Sequence, residues 1–167
     1  MNENLTNFFS FPELINEVSA RLVAIGVLAL SSVVLYLLID NNNYVLIFLS
    51  ILIYGFLARV SSGPKISPLA LFVTKLLVPR LNFKEKLVPG PPKRFAQGIG
   101  LIFSLFTAIT FLINLNSISI ILISTLILFA ALEAFIGFCA GCKVFKLLMN
   151  IGLIPNDVCE KCSNYQF

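Results

Sequence analysis

Hydrophobic positions fall into four long blocks separated by short polar breaks. A helix needs about 20 mostly apolar residues to cross a bilayer, and residues 22–39, 44–60, 95–113 and 117–138 reach or approach that length. Asp40-Asn41-Asn42-Asn43 separates the first two blocks and Asn114-Leu115-Asn116 the last two. Both breaks are made of turn-forming residues, so each pair of blocks reads as a helical hairpin. The pattern predicts an all-α membrane protein with four transmembrane helices as two hairpins, flanked by short interfacial helices.

The flanking segments follow a different rhythm. Residues 1–21 form an amphipathic lead-in: Ser10-Phe11-Pro12-Glu13 has capping-box spacing, and Leu14, Ile15, Val18 and Leu22 lie opposite Glu13, Asn16, Glu17 and Arg21. In the connection at 61–94, Ser67-Pro68 is a helix start, residues 69–78 are too few to span, and Pro79 is expected to stop them. The result is a helix lying in the membrane plane, with the proline cluster at 89–92 ahead of the third span. In the tail at 139–167, Val144, Leu147, Leu148 and Ile151 share one face and Lys143, Lys146 and Asn150 the other, predicting a second in-plane helix ending near Gly152.

Composition confirms the class. Hydrophobic residues make up 58% and charged residues 12%, with a mean hydropathy of +0.95. Soluble domains carry roughly 45–50% and about 25%, so too few charges are present to cover a water-facing surface. Disorder, which needs low hydrophobicity and high net charge, is excluded. The chain has no histidine, which removes imidazole as ligand, base or pH switch.

The net charge of +4 is unevenly placed. Arg59, Lys65, Lys75, Arg80, Lys84, Lys86, Lys93 and Arg94 cluster between spans two and three, with Arg21 before span one and Lys143, Lys146 and Lys161 after span four. Neither short turn carries a basic residue, so the positive-inside rule puts all of them, and both termini, in the cytoplasm. No basic n-region precedes span one, so the N-terminus reads as retained. The expected partner of the basic face is anionic lipid; no aromatic-basic motif points to nucleic acid.

All four cysteines lie in the tail, as Cys139-Ala140-Gly141-Cys142 and Cys159-Glu160-Lys161-Cys162. The C-x2-C-x16-C-x2-C spacing fits a tetrathiolate zinc site. On a helix Cys139 and Cys142 share a face, and Gly152 with Pro155-Asn156 offers a reversal that returns the second pair to the first. A reducing cytoplasm favours metal or redox use over permanent disulfides. The leading expectation is therefore a thiophilic metal, zinc-type, held for structure, sensing or transfer. A second reading is a thiol-disulfide or sulfur relay between the two pairs, partnered by thioredoxin-like or sulfur-transfer proteins, with the neighbouring lysines favouring thiolate. If the chain is an enzyme, it is then a thiol-disulfide oxidoreductase. Inert interface cysteines are the third reading. A quinone is conceivable so near the lipid, but the cytoplasmic side argues against an oxidant of exported proteins, and no quinone is expected.

Glu133 is the one acid inside a spanning block, and intramembrane ionisable groups are costly. If spans three and four turn about Leu115, Gln97 lies at the depth of Glu133, with Arg94 one turn further out. Gln97 is expected to hydrogen-bond Glu133 and Arg94 to pair with it, with Gly98, Gly100 and Gly137 allowing close helix approach. The cluster is a clamp for the hairpin or a proton-carrying or ligand-binding carboxylate. In the latter role the chain is a small transporter or accessory subunit, which with four spans implies a homo-oligomer.

Several stretches carry a resemblance. RVSSGPKISPLALFVTKLLVP at 59–79, GPPKRFAQGIG at 90–100, the closing CAGC…CEKC, and Glu17-x3-Arg21-Leu22-x-Ala24 resemble a family of small bacterial integral membrane proteins catalogued as a domain of unknown function. The resemblance covers nearly the whole chain. It implies a multi-helix bacterial membrane protein, in the plasma membrane, and assigns no chemistry. A four-helix bundle with CxxC at a helix end also looks like the quinone-linked disulfide-forming membrane enzymes, which carry their cysteines on the outer face.

Overall fold

Turn residues and prolines set the helix boundaries in the computed structural model, which describes residues 14–63, 66–81 and 86–155. A short strand β1 (Leu14–Asn16) leads into helix α1 (Glu17–Ile39), and α2 (Val45–Ser62) returns. The basic connection holds α3 (Pro68–Phe72), a π-helical turn (Val73–Leu77), α4 (Val78–Leu81) and strand β2 (Leu87–Pro89). Helix α5 (Gly90–Leu112) and helix α6 (Asn116–Ala131), prolonged by a π turn (Leu132–Ile136), form the second hairpin. Helix α7 (Ala140–Asn150) follows.

Four of these, Glu17–Ile39, Val45–Ser62, Gly90–Leu112 and Asn116–Ile136, are long and apolar enough to cross a membrane. The order α1, α2, α5, α6 closes on itself, since α1 packs on α2, α2 on α5, α5 on α6 and α6 on α1. Val34, Leu38, Val45, Leu49, Leu52 and Ile123 fill the centre. Ser31, Ser104, Thr107 and Ser119 are buried among them. Their hydroxyls donate to carbonyls of their own helices (Ser31 to Val27 O, 2.7 Å; Thr107 to Phe103 O, 2.8 Å), and a hydrogen bond of 2.7 Å joins Thr110 to Ser119 across the second hairpin. Small hydroxylated residues let apolar helices approach without leaving a polar group unsatisfied. The outer faces are the reverse, with Tyr36, Ile51, Phe106, Ile121 and Phe135 exposed. Burying such a belt in lipid is the natural state of a transmembrane bundle.

The two predicted turns meet. Asn41 and Asn114 take positive φ (50° and 61°), the left-handed region that asparagine tolerates best after glycine, and Asn116 Nδ2 donates to Asn41 Oδ1 at 2.7 Å. The charged ends gather at the opposite pole.

Three boundaries differ from the sequence reading. The lead-in is not helical at Leu14–Asn16: these residues pair antiparallel with Leu87–Pro89. Helix α1 starts only where Asn16 Oδ1 accepts from Val18 N at 2.9 Å. The capping box at 10–13 lies outside the described residues. Helix α5 takes in Pro91 and Pro92, since first-turn prolines forgo N–H groups that lack partners there anyway. The short helix of the connection runs past Pro79 to Leu81; a π turn just ahead has already left the i to i−4 pattern that a proline would interrupt. That helix lies on α1 through Ala70 and Val73, which pack with Val23, and leaves Phe72 and Leu76 exposed.

Candidate functional site

The site is assembled at the basic pole, where helix ends present unpaired carbonyls and cations answer them. Helix α6 ends in a π turn closed by Gly137 in the left-handed region (φ 76°), with Phe138 N donating back to Leu132 O at 3.1 Å. Arg21 of α1 caps this end, Nη2 donating to Phe135 O at 2.7 Å and Nε to Ala134 O at 3.3 Å. Across the bundle, Arg94 of α5 does the same for α2, donating from Nε to Val60 O at 2.9 Å. Both arginines sit against the negative ends of neighbouring helices. Glu17 pairs with Lys86 at 2.7 Å beside the two-stranded sheet.

Glu133 is paired, but with Lys93 and not Arg94: Lys93 Nζ lies 2.5 Å from Oε1, with the side chains 7% and 19% exposed. Gln97 does not bond Glu133 either; its Oε1 accepts from Arg59 Nε at 2.7 Å. Arg59 is 4% exposed, packs its guanidinium 4.7 Å from the Phe56 ring centroid and lies within electrostatic reach of Glu133. The helix period explains the difference. Lys93 and Gln97 are i,i+4 and share a face, whereas Arg94 is turned about 100° away, toward α2. The cluster thus holds two cations, one carboxylate and one amide. Lys93 and Arg59 were legible only as part of the basic connection. The usable signal was that Arg59 falls three residues after Phe56 and seven after Leu52, on one face of the apolar block of span two.

The glycines act differently from expectation. Gly98 has open space around it, and Gly100 makes room for the Phe56 ring of α2 instead of for α6. Gly137 serves the turn, where a Cβ would meet Glu17 Oε1 at 3.2 Å.

Residues 137–139 bridge span four to α7. Cys139 is not within the helix, as the i,i+3 reading had it, but at its N-cap with extended backbone (φ −94°, ψ 101°). Its Sγ accepts from Cys142 N at 3.3 Å. The two cysteines are joined as a disulfide, with Cα atoms 5.2 Å apart. Cys142 is fully buried, while Cys139 is partly exposed. The motif's glycine is structural: a Cβ on Gly141 would lie 2.6 Å from Ala96 Cα, so the first turn of α7 rests directly on the α5 backbone. Phe145 continues the contact, its ring 5.6 Å from that of Phe95. The helix ends at Asn150 before Gly152, as predicted. Its buried face is Cys142, Phe145 and Met149, however, and Val144, Leu147 and Ile151 are left exposed. Cys159 and Cys162 lie outside the described residues, among which no group of three or more acidic or cysteine side chains is arranged to hold a metal ion.

A cavity of about 130 Å³ joins the two features. Its walls include residues of α1 (Ala20, Val23, Val27), α2 (Phe56), α5 (Lys93, Gln97) and α6 with its π turn (Leu126, Phe129, Glu133), and Cys139, Ala140 and Gly141 line a further side. The ion pair and the disulfide therefore face a common, mostly apolar space.

A family model described as a domain of unknown function (DUF4395) matches residues 15–150, and the chain belongs to that family. No curated protein and no solved structure matches it.

Proposed function

We propose that this member of the DUF4395 family is a membrane thiol-disulfide protein whose working pair is Cys139 and Cys142. The observation that carries the reading is the position of Cys139. It caps a helix N-terminus, accepts a backbone N–H on its sulfur and is partly exposed, while its partner is buried three residues on. A helix N-terminus favours negative charge, so the cap position favours the thiolate that attacks. The buried Cys142 is suited to resolving the intermediate.

The exchange is balanced within the pair. In the reducing direction the Cys139 thiolate attacks one sulfur of a substrate disulfide. The substrate S–S bond breaks, a mixed disulfide forms and the departing sulfur takes a proton. Cys142, deprotonated, then attacks Cys139 Sγ; the second substrate sulfur leaves and is protonated, and the Cys139–Cys142 bond closes. Two electrons have passed to the substrate. Run backwards, the same steps oxidise a dithiol. With the basic pole in the cytoplasm, the partners are cytoplasmic dithiol proteins.

The C-x2-C-x16-C-x2-C spacing favours a second reading, in which the reduced pair and Cys159/Cys162 hold zinc. Sulfurs bonded to each other cannot serve as thiolate ligands, so that reading requires the open form. One experiment separates the two. Detergent-purified full chain, reduced, is assayed for bound zinc and offered a disulfide, oxidised glutathione. We expect metal-free protein in which Cys142→Ser traps a mixed disulfide on Cys139. Stoichiometric zinc with four protected thiols, and no exchange, would overturn the proposal.

A further inference from the structure

A thiol pair at a membrane surface needs a destination for its electrons, and the cavity beside Cys139 offers one. We propose, resting on the thiol-disulfide reading above, that this cavity takes the ring of a lipid quinone and that the Cys139/Cys142 dithiol reduces it to the hydroquinone.

Three observations narrow the ligand. The space lies between helices long and apolar enough to span a membrane and is walled by Val23, Val27, Phe56, Leu126 and Phe129, which suits an apolar occupant that partitions into the bilayer. Its volume of about 130 Å³ suits a single six-membered ring; an apolar cavity of about 150 Å³ takes up benzene. Beside the Glu133 carboxylate, its wall carries two donors with capacity to spare, Lys93 and Gln97. Lys93, 6% exposed, gives one of its three N–H groups to Glu133. Gln97 uses its oxygen for Arg59 and keeps its amide N–H groups. The carbonyl oxygens of a quinone are acceptors that match these donors. An apolar ring bearing carbonyls, which also accepts the two electrons a dithiol delivers, is a quinone.

The chemistry closes without a further reagent. The Cys139 thiolate adds to a ring carbon, forming a C–S bond, and one quinone oxygen takes a proton from Lys93. Cys142 thiolate attacks Cys139 Sγ, the S–S bond forms, and the C–S bond breaks with its electron pair passing to the ring. The second oxygen takes the other proton. The two thiol protons replace those donated, so dithiol plus quinone becomes disulfide plus hydroquinone. The cytoplasmic side, which argued against an oxidant of exported proteins, suits a protein that draws electrons from cytoplasmic thiols.

The test uses the full chain in phospholipid nanodiscs, reduced with a phosphine, freed of it anaerobically and mixed with decyl-ubiquinone. Loss of quinone absorbance and closure of Cys139–Cys142 by alkylation mass shift are followed together. One quinone is expected to be consumed per chain, with no consumption above background in Cys139→Ser. Ala20→Phe, which fills the cavity from its α1 wall, is expected to slow quinone reduction about tenfold or more while exchange with a small dithiol continues. Gln97→Leu, which removes a donor, is expected to raise the quinone concentration needed. Exchange without quinone reduction, or reduction indifferent to both cavity variants, would overturn this inference and leave the thiol-disulfide reading standing. Loss of exchange itself in the unmodified chain would remove both.

Discussion

Removing Glu133 should damage the bundle more than removing Lys93, although the two form a single ion pair. The reason is the inventory of the cluster: Lys93 and Arg59 are both buried, and Glu133 is the carboxylate they share. Breaking a buried pair costs roughly 3–5 kcal/mol, mostly from the charge left behind. In Lys93→Met the carboxylate still faces the Arg59 guanidinium and keeps 19% exposure, which places the cost at the low end or below, about 2–3 kcal/mol. In Glu133→Gln two cations remain without a counter-charge, and the cost belongs at the upper end, about 4–5 kcal/mol. At roughly 2–4 °C per kcal/mol for a chain of this size, the midpoints should separate by several degrees. Samples in dodecyl maltoside are heated at one rate, and the monodisperse fraction is read by size exclusion. The double variant Lys93→Met/Glu133→Leu should recover only part of the loss, since replacing a buried pair by apolar groups is often neutral but Arg59 then stays buried without a counter-charge. Equal or reversed ordering of the single variants would mean that Arg59 does not share the carboxylate.

Other perturbations test the remaining contacts. Gly141→Ala should displace the first turn of α7 from α5, because its Cβ meets Ala96 backbone at 2.6 Å; Cys142, now buried, should become reactive to maleimide in the reduced protein. Arg21→Ala removes two hydrogen bonds to the end of α6, at about 1.5–3 kcal/mol for charge-assisted bonds, and should lower the midpoint without affecting the far pole. Asn41→Ala should cost about 1–2 kcal/mol for the left-handed backbone plus the bond from Asn116. Asn41→Gly should lose only the latter, a difference read from the same melting curves.

Much of the architecture was legible because lipid makes hydrophobicity nearly decisive. The four blocks became the four long helices, and the asparagine turns became their links. What the pattern could not carry was phase. Depth arithmetic brought Glu133 level with Gln97, but which neighbour reaches the carboxylate depends on rotation about the α5 axis, and one residue separates Lys93 from Arg94. The strand pair escaped notice because Leu14–Asn16 extends an apolar period that also suits a helix. Its extended form is imposed by a partner, Leu87–Pro89, more than seventy residues away. The cysteine spacing announced chemistry but not its kind. That Cys139 caps a helix instead of lying within it follows from Gly137, whose left-handed turn ends span four just before the motif.

Thiol exchange by this pair requires Cys139 and Cys142 to differ, as an attacking and a resolving sulfur. The most direct measurement is alkylation of the reduced full chain with a limiting thiol reagent, quenched in acid and located by peptide mass. Cys139 should label first and Cys142 only after unfolding; offered oxidised glutathione, Cys142→Ser should trap a mixed disulfide and Cys139→Ser none. Equal labelling of the two, or protection of both by bound zinc, would contradict that division of roles.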